Sequence, residues 1–437
     1  MPVTGLLDEI AGIGRNGATG GYNRFAFTPD DAALGEWFAA ACAARGFEVT
    51  TDRCGNQWAW DGDPDAAQAA GRPGVVIGSH LDSVPDGGAF DGPLGVASAF
   101  AAVDTLRTAG TVLDRPLGLV RFVDEEGARF GLACSGSRLI TGTSAPDAVL
   151  ALRDAAGTSY AEALGATGVD VQHAGRDADV LHRIGVFVEL HVEQGRMLAQ
   201  EPYQNPIGVA AAIKAHGRWR VDLPGRADHA GATLMQDRDD PMLALARLIP
   251  AVREAVLRHD ALAGSGRGGT VGTVGTVGKV AVRPNAVNAI PSLVQAWLDV
   301  RSFEQDVVRA VVAELAASFP VVEESWTPTI VFDSALAERL SAALGGAPVI
   351  PTGAGHDAGI LADAGIPAGM LFVRNPTGVS HSPAEHAEPD DCEAGARALA
   401  AVVADLCGAS PATRRPATQA EPSGYRAVEG TEGGSPL

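Results

Sequence analysis

Positive charge is scarce in this sequence. Its 437 residues include 33 lysines and arginines against 53 aspartates and glutamates, which gives a net charge of −20. Nucleic acid and anionic membrane surfaces repel so acidic a chain, so we expect neither as a partner. Long apolar runs are also missing, since none approaches the about 18 residues that a membrane helix requires. The composition is that of an ordinary globular protein.

Cysteine is sparse as well. The chain has 5 cysteines, an odd number without a Cys-x-x-Cys pair, so we expect neither a disulfide framework nor a zinc knuckle. We expect no signal peptide, because Asp8 and Glu9 stand where a basic start and an apolar stretch would be needed. These observations predict a reducing, cytoplasmic location. The cysteines are Cys42, Cys54, Cys134, Cys392 and Cys407.

What the sequence does have is a set of short apolar runs followed by histidines or carboxylates. The runs have the length and composition of buried strands, and helical spacing between them indicates an α/β pattern. In such folds the site lies at the carboxyl ends of the strands. We therefore predict a mixed-sheet α/β domain with its site at that edge. The runs are 75–77 before His80 and Asp91, 117–123 before Glu125 and Glu126, 184–190 before His191, and 369–373 before His381.

The pattern changes between the third and fourth of these runs. Alternating apolar and polar residues predict a strand at 217–223, and the order strand, helix, strand, strand, helix follows. This order predicts a small α+β unit inserted into the larger domain, as a lid or dimerisation module. Its other elements are helices at 241–259 and 303–319 and strands at 270–282 and 292–301.

The chain is too long for one ordinary core, so its length predicts two or three domains. We divide it into a catalytic domain in two parts, a lid/dimerisation domain and a disordered tail rich in Pro, Gly, Ser, Thr and Glu. Helices are predicted at 4–13, 30–45 and 94–109, and strands at 47–51 and 56–60. The divisions are 1–213 and 327–408 for the catalytic domain, 214–326 for the lid, and 409–437 for the tail.

The ligand-type residues suffice for two metal ions. If Asp91 bridges, one ion has His80, Asp91 and His191, and the other has Asp91, Glu126 and His381. Three protein ligands and an open position are typical of catalytic rather than structural sites. Two such ions together polarise a carbonyl and activate water. Taken alone, the 78–92 loop could equally be a solvated Asp-Gly turn with a stray histidine.

Two further carboxylates have predicted roles beside the metals. Asp82 is placed to hold the far nitrogen of the His80 ring. Glu125, next to Glu126, is predicted to be the general base and later the general acid, which would add about 10²–10⁴-fold in rate. A solvated acidic turn is the alternative for residues 124–126, but their position after a buried strand favours the catalytic role.

Several motifs together resemble the M20 metallopeptidase-like superfamily over about residues 5–408. His191 stands where the peptidase branches generally use a carboxylate, so the chain is more similar to the amidase branch of N-carbamoyl-L-amino acid and allantoate amidohydrolases. The resemblance implies a dinuclear enzyme, activated by zinc, manganese, cobalt or nickel, that cleaves a ureido C–N bond and dimerises through its lid. The motifs are His80-x-Asp82, Asp91-Gly92, Glu125-Glu126-Gly127, 189–195, 228–233 and 380–383.

The same resemblance implies residues on the substrate side. Gln194, Asn288 and Arg301 match positions that hold substrate in similar enzymes, and a guanidinium fork suits an α-carboxylate. The alternatives are a surface ion pair for Arg301 and a turn role for Asn288. His229 resembles the lid histidine that reaches the neighbouring subunit's site and stabilises the oxyanion. His356 is predicted to support a metal ligand or line the substrate pocket, with helix capping as the alternative.

Other polar residues receive minor roles. His386 competes with His381 as a ligand, but the Ser-His-Ser-Pro context favours His381, and His386 replaces an aromatic that follows a carboxylate near Glu385 in the family. Asp86 is predicted to be a turn residue. Four further histidines have no partner pattern and are expected at the surface or in packing: His173, His182, His216 and His259.

We therefore expect hydrolysis of N-carbamoyl-L-amino acids to the amino acid, carbon dioxide and ammonia. Allantoate and β-ureidopropionate are alternative substrates, and dipeptide hydrolysis is a further alternative. A non-catalytic binding protein that kept a metal-site scaffold is the alternative from another class. The presence of Glu125 beside every predicted ligand argues against it, because a retired site would be free to lose its base.

Overall fold

The computed structural model describes residues 1–263 and 272–411. The predicted tail from residue 412 onward and the first residues of the strand predicted at 270–282 lie outside that range. The strands are β1 Val49–Thr51, β2 Gln57–Asp61, β3 Gly74–His80, β4 Thr111–Val112, β5 Leu117–Phe122, β6 Ile184–Val192, β7 Ile207–Ile213, β8 Ala215–Pro224, β9 Asp228–His229, β10 Val274–Arg283, β11 Ala289–Ile290, β12 Leu293–Ser302, β13 Val321–Thr327, β14 Ile330–Val331, β15 Val349–Thr352, β16 Ala368–Val373 and β17 Ser410–Pro411.

Helices alternate with these strands through most of the chain. They are α1 Val3–Glu9, α2 Pro29–Ala43, α3 Pro64–Ala69, α4 Pro93–Thr108, α5 Ser135–Thr141, α6 Pro146–Leu150, α7 Tyr160–Ala166, α8 Ala178–His182, α9 Pro241–Ala263, α10 Gln305–Ala316, α11 Ser334–Ala343, α12 Asp357–Asp363 and α13 Pro389–Cys407.

A large mixed sheet forms the centre of the molecule. Its order is β1-β2-β5-β3-β6-β16-β7-β14, with β15 also paired to β7. The four strands β5, β3, β6 and β16 are consecutive neighbours and mutually parallel. They are the four runs singled out in the sequence, so their carboxyl ends meet at one edge. The predicted α/β class with a mixed sheet is confirmed.

Each face of this sheet is covered by its own apolar core. On one face, Ile77 and Leu190 pack with Phe100 of α4 and Leu399 of α13. On the other face, residues of the same strands pack with α5, α7 and α12. Full burial on both sides explains why these strands are continuous apolar runs without alternation.

A second sheet, of order β10-β12-β8-β13, lies between β7 and β14 in the chain. All its pairings are antiparallel, and burial alternates along β8 and β12. The inward residues, Trp219 among them, pack against α9 and α10 in a separate core. The other face of β8 and β12 is therefore available to line a cleft.

Some boundaries differ from the prediction. Helix α1 ends at Glu9 rather than at residue 13, and the carbonyl oxygens of Ile10 and Ile13 instead accept hydrogen bonds from the buried Arg24 guanidinium. Strand β13 and the short ribbon of β9 with β11 were not predicted. Strand β17, inside the segment predicted as tail, pairs with β4.

Candidate active site

The first group of predicted ligands lies deep at the carboxyl edge of the large sheet. The Nε2 atoms of His80 and His191 lie 3.6 Å and 3.1 Å from Oδ1 of Asp91. Both histidines are fully buried, and their rings stack with centroids 5.8 Å apart. Gly92 permits this packing, because its φ is +85° and a Cβ there would lie 2.5 Å from the His80 ring.

The second group shares Asp91 and faces the cleft. Nε2 of His381 lies 3.5 Å from Oδ2 of Asp91 and 3.6 Å from Oε2 of Glu126. The His381 side chain is 47% exposed, in contrast to the buried first group. The two carboxylate oxygens of Asp91 thus face different groups, as a bridging ligand must.

These residues fit two divalent cations. Nε2 of His80 and Nε2 of His191 are buried and make no hydrogen bond of acceptable geometry within the described part of the chain, although the Asp91 carboxylate lies near both. The ligand atoms of each group lie within 4.8 Å of one another. Buried imidazole nitrogens without a partner are costly in a folded protein, and a metal ion would satisfy both.

Asp82 connects the first group to the loop that follows β5. Its carboxylate accepts hydrogen bonds from the backbone N–H of Glu125 at 3.1 Å and of Glu126 at 3.0 Å. The same carboxylate lies 3.3 Å from Nδ1 of His80. One side chain therefore orients a candidate ligand and fixes the backbone of the predicted base, and the second contact was not predicted.

The loop that carries Glu125 is strained and tightly braced. Asp124 has a φ of +54° and Cys134 a φ of +57°, which is uncommon for residues other than glycine. Ser135 donates to the Asp124 carboxylate at 2.7 Å, and Cys134 donates its N–H to the carbonyl of Glu125 at 2.6 Å. Strain of this kind clusters at functional sites.

Glu125 is 5% exposed, and its Oε2 lies 3.7 Å from Nε2 of His80. Its Oε1 accepts a weak hydrogen bond from the Cys134 thiol at 3.5 Å. Burial, together with the negative charges of Glu126 and Asp357, raises the pKa of Glu125 well above its usual range. A carboxyl with a raised pKa beside a metal site suits acid–base chemistry.

A third carboxylate, Glu385, supports the loop of the bridging ligand. It accepts the backbone N–H of Phe90 at 2.8 Å and of Asp91 at 3.0 Å, and the Ser380 hydroxyl at 3.3 Å. Burial and the charge of Asp91 raise its pKa to about 7. Gly88 makes room for it, because a Cβ there would lie 2.1 Å from Oε2 of Glu385.

A cleft lies between the candidate ligand groups and the outward face of the smaller sheet. Glu125, His356 and Arg301 line it together with Asp91 and Glu126. His356 is 2% exposed, and neither ring nitrogen has a hydrogen-bond partner among residues 1–263 and 272–411. It occupies the residue before α12 but makes no side-chain cap, so the helix-cap interpretation is wrong.

Gln194 and Arg301 also line the cleft. Gln194 donates to Oδ2 of Asp91 at 2.7 Å. Arg301 forms a bidentate pair with Asp299 at 2.6 Å and 2.9 Å and donates to the Gly353 carbonyl at 3.0 Å. Burial opposes the Arg301 charge, but the hydrogen bonds to Asp299 and the nearby Glu126 carboxylate raise its pKa overall.

His229 and Asn288 do not lie in this cleft. Both are exposed, on the ribbon of β9 with β11, where Ala230 donates its N–H to the Asn288 carbonyl at 3.0 Å. Neither residue contacts the candidate ligands within the part of the chain that the structure describes. Within one chain the site therefore lacks the two predicted lid residues.

Of the remaining polar residues, His386 and Asp86 lie outside the ligand groups, whereas His216 lines the cleft. His386 lies beside Glu388 at 3.2 Å and is outside both ligand groups. Asp86 accepts hydrogen bonds from Asn16 at 2.9 Å and Thr19 at 2.6 Å, which ties the N-terminal segment to the loop after β3. His216 lines the cleft, so its assignment to the surface or to packing missed this position. Inward and outward residues alternate along β8, and His216 falls on the outward face. This alternation is the sequence signal that could have placed His216 on the face that lines the cleft.

The α/β fold and the paired histidine–carboxylate groups define a metal-dependent hydrolase. The chain belongs to peptidase family M20/M25/M40, whose model matches residues 76–405. Enzymes of this family typically depend on two metal ions. Among the described residues, no helix is both long and apolar enough to span a bilayer.

Comparison with individual relatives narrows the class to amidohydrolases of the carbamoylase and allantoate group. The chain is 37% identical to an N-carbamoyl-L-amino acid amidohydrolase of Geobacillus stearothermophilus, over 90% of this chain and 95% of the relative. It is 32% identical to the allantoate amidohydrolase of Bacillus subtilis, over 91% and 95% of the two chains. A hydantoinase/carbamoylase family amidase from Burkholderia vietnamiensis superposes with a TM-score of 0.80 at 31% identity, covering 93% and 97%.

Proposed function

We propose that this enzyme hydrolyses N-carbamoyl-L-amino acids to the L-amino acid, carbon dioxide and ammonia. The observation that carries the proposal is that one cleft is lined both by the candidate ligands with Glu125, from loops of the large sheet, and by Arg301, from β12 of the smaller sheet. That arrangement suits a substrate with a ureido group at one end and a carboxylate at the other. The Geobacillus relative is named for this activity.

Arg301 is the proposed partner of the α-carboxylate. Its contacts to Asp299 and Gly353 use three of its five N–H groups. The other two remain for a ligand, and the bidentate pair with Asp299 fixes the plane of the guanidinium. A preorganised fork loses little entropy on binding a carboxylate.

The residues around the ureido group have separate proposed tasks. Two divalent ions, when bound, would polarise the carbonyl and make water nucleophilic at neutral pH. Glu125 takes the proton of the attacking water and delivers it to the leaving nitrogen as the C–N bond breaks. His356 and Gln194 are proposed to orient the substrate. Among the described residues, both ring nitrogens of His356 and Oε1 of Gln194 have no hydrogen-bond partner.

The ligand set suits several first-row metals. Imidazole and carboxylate ligands bind zinc, manganese, cobalt and nickel, and each group supplies three protein atoms. We propose zinc or manganese as the activating ions. All five cysteines are free and buried, which supports the proposed reducing, cytoplasmic setting.

We also propose that residues 214–326 form a lid through which the enzyme forms homodimers. Strand β10 is an edge of the smaller sheet, and an unpaired edge is a ready template for another chain. Beside it, α9 exposes Met242, Leu243 and Ile249 by 41%, 61% and 48%. In such a dimer His229 and Asn288 of one subunit would complete the partner's site.

Allantoate is the second candidate substrate, favoured by the similarity to the Bacillus subtilis allantoate amidohydrolase. The test is ammonia release by the metal-loaded enzyme from N-carbamoyl-L-amino acids, allantoate, β-ureidopropionate and dipeptides. We expect the highest kcat/KM on an N-carbamoyl-L-amino acid, with KM raised in Arg301→Gln. A higher kcat/KM on allantoate would establish the second candidate, and cleavage of dipeptides alone would overturn both.

A further inference from the structure

Three arginines line the cleft where the smaller sheet faces α5. Arg218 and Arg301 lie on the neighbouring strands β8 and β12, and Arg138 lies on α5. They surround His216, which is directly opposite Arg301 in the strand register. A substrate with a single carboxylate needs only one of these guanidinium groups, so the other two require an explanation.

Asp299 pairs with only one of the three arginines. Asp299 is opposite Arg218 in the register, but both its oxygens bind Arg301. Among the described residues, the Arg218 guanidinium donates to the Gly131 carbonyl at 3.0 Å and to no other acceptor. Arg138 donates to the Ala133 carbonyl at 2.9 Å and to the Thr327 hydroxyl at 2.8 Å, which are neutral acceptors. Neither arginine has an ion pair with any carboxylate of residues 1–263 and 272–411.

An arginine on this face of β8 can form ion pairs with carboxylates, as Arg220 does. It lies two residues after Arg218 on the same face of β8. Carboxylates of Asp222 and Glu324 lie 3.3 Å and 3.5 Å from it. The unpaired arginine of the strand is thus the one that lines the cleft.

The charge balance of the wall favours a second anion. His216 adds no positive charge at neutral pH, because burial and Arg301 lower its pKa to about 4. The smaller-sheet wall and α5 bring three guanidinium groups to the cleft, against the Asp299 carboxylate. The carboxylates of Asp124 and Glu126 also attract Arg218, but Glu126 is a proposed metal ligand, and a bound divalent ion would offset its charge. An α-carboxylate at Arg301 leaves Arg218 and Arg138 without a carboxylate in direct contact, and a second anionic group would supply one.

We propose that the preferred substrates are N-carbamoyl-L-amino acids with an anionic side chain, whose second carboxylate binds Arg218 and Arg138. This inference rests on the proposed function and narrows its substrate class. Arg218 and Arg301 form a diagonal pair on adjacent strands, with α-carbons about 7–8 Å apart. Two guanidinium groups at that spacing, both lining the cleft, suit the two carboxylates of an aspartate or glutamate skeleton.

The test compares two substrates of the metal-loaded enzyme: N-carbamoyl-L-glutamate and N-carbamoyl-L-glutamine. The second is nearly isosteric with the first but has an uncharged side chain. We expect kcat/KM to favour the glutamate compound by about 10–100-fold, because a charged hydrogen-bonded pair is lost in the analogue. Arg218→Gln should reduce that ratio towards one. Arg220→Gln, the matched control on the same face, should leave the ratio as in the parent enzyme.

A binding measurement supports the kinetic one. Calorimetry with the Glu125→Gln protein should show tighter binding of N-carbamoyl-L-glutamate than of the glutamine compound, with the difference removed by adding Arg218→Gln. Equal kcat/KM for both compounds, with Arg218→Gln lowering both alike, would mean that the arginines only offset the acidic cluster, and would overturn this inference alone. Absence of ammonia release from every N-carbamoyl amino acid would instead overturn the proposed function.

Discussion

The predicted metal ligands and the predicted lid residues lie in opposite surroundings. His80 and His191 are fully buried at the edge of the large sheet, whereas His229 and Asn288 are exposed at the separate two-stranded ribbon of β9 and β11. The first set is assembled by one chain, and the second contributes nothing to that chain's own cleft. On the proposed function, the difference predicts that a single folded chain suffices to bind the metal ions, whereas full transition-state stabilisation requires a second subunit.

The strongest test of the buried set is Asp91→Ala. Loss of the only residue shared by both ligand groups should remove both ions, and kcat should fall by at least about 10⁴-fold. Metal analysis of the purified protein provides the measurement. Asp86→Ala, in the same loop but bonded only to the N-terminal segment, should retain two ions per chain. Full metal content in Asp91→Ala would contradict a bridging role.

Glu125→Gln separates chemistry from metal binding. We expect kcat to fall by about 10²–10⁴-fold, since the amide cannot accept a proton. Metal content and thermal stability should match the parent protein, because the Asp82 contacts to the loop involve backbone N–H groups. Activity equal to the parent enzyme would exclude Glu125 as the base.

His229→Ala tests the exposed set. We expect kcat to fall by about 10²–10³-fold through loss of an oxyanion donor, with both ions retained. Mixing this variant with Glu125→Gln under subunit exchange is the decisive experiment. A mixed dimer has one site with both residues intact, so activity should recover to about a quarter of the parent value at statistical mixing. No recovery in demonstrated mixed dimers would show that His229 does not act across subunits.

Glu385→Gln should have the smallest effect. The amide keeps the shape but loses the charge that holds the Asp91 loop, so we expect metal affinity to fall by about 10–100-fold. Titration of the metal-free protein with zinc or manganese measures the change. Glu388→Gln, a few residues later and bonded only to the exposed His386, is the matched control. Equal affinity in both variants would leave Glu385 without a role at the site.

The main features of the site were predictable because they follow from strand patterns. Four buried runs ended in ligand-type residues, and parallel neighbours bring such ends together, which is how His80, Glu126, His191 and His381 came to be grouped. The resemblance to a known family then assigned roles that spacing alone leaves open. It also suggested the exposed lid residues, which no pattern of burial would indicate.

The residues that sequence reasoning missed act through contacts between distant segments. Arg218 and His216 line the cleft only because β8 faces α5 across it, and no local pattern shows which domain a strand will face. The second task of Asp82, holding the backbone of Glu125, is likewise invisible without the fold. Local periodicity determines elements, whereas these roles depend on how elements meet.

The link between Glu385 and the Asp91 loop also bears on the order of folding. The two segments are separated by 294 residues, with the whole smaller sheet between them in the chain. Contacts of such separation form late, because a long stretch must be ordered before they close. During synthesis the bridging carboxylate would therefore gain its support only after β16 and the following loop have docked. Tight metal binding would then require that synthesis has passed Glu385, and a product truncated before that residue would fail to retain its ions.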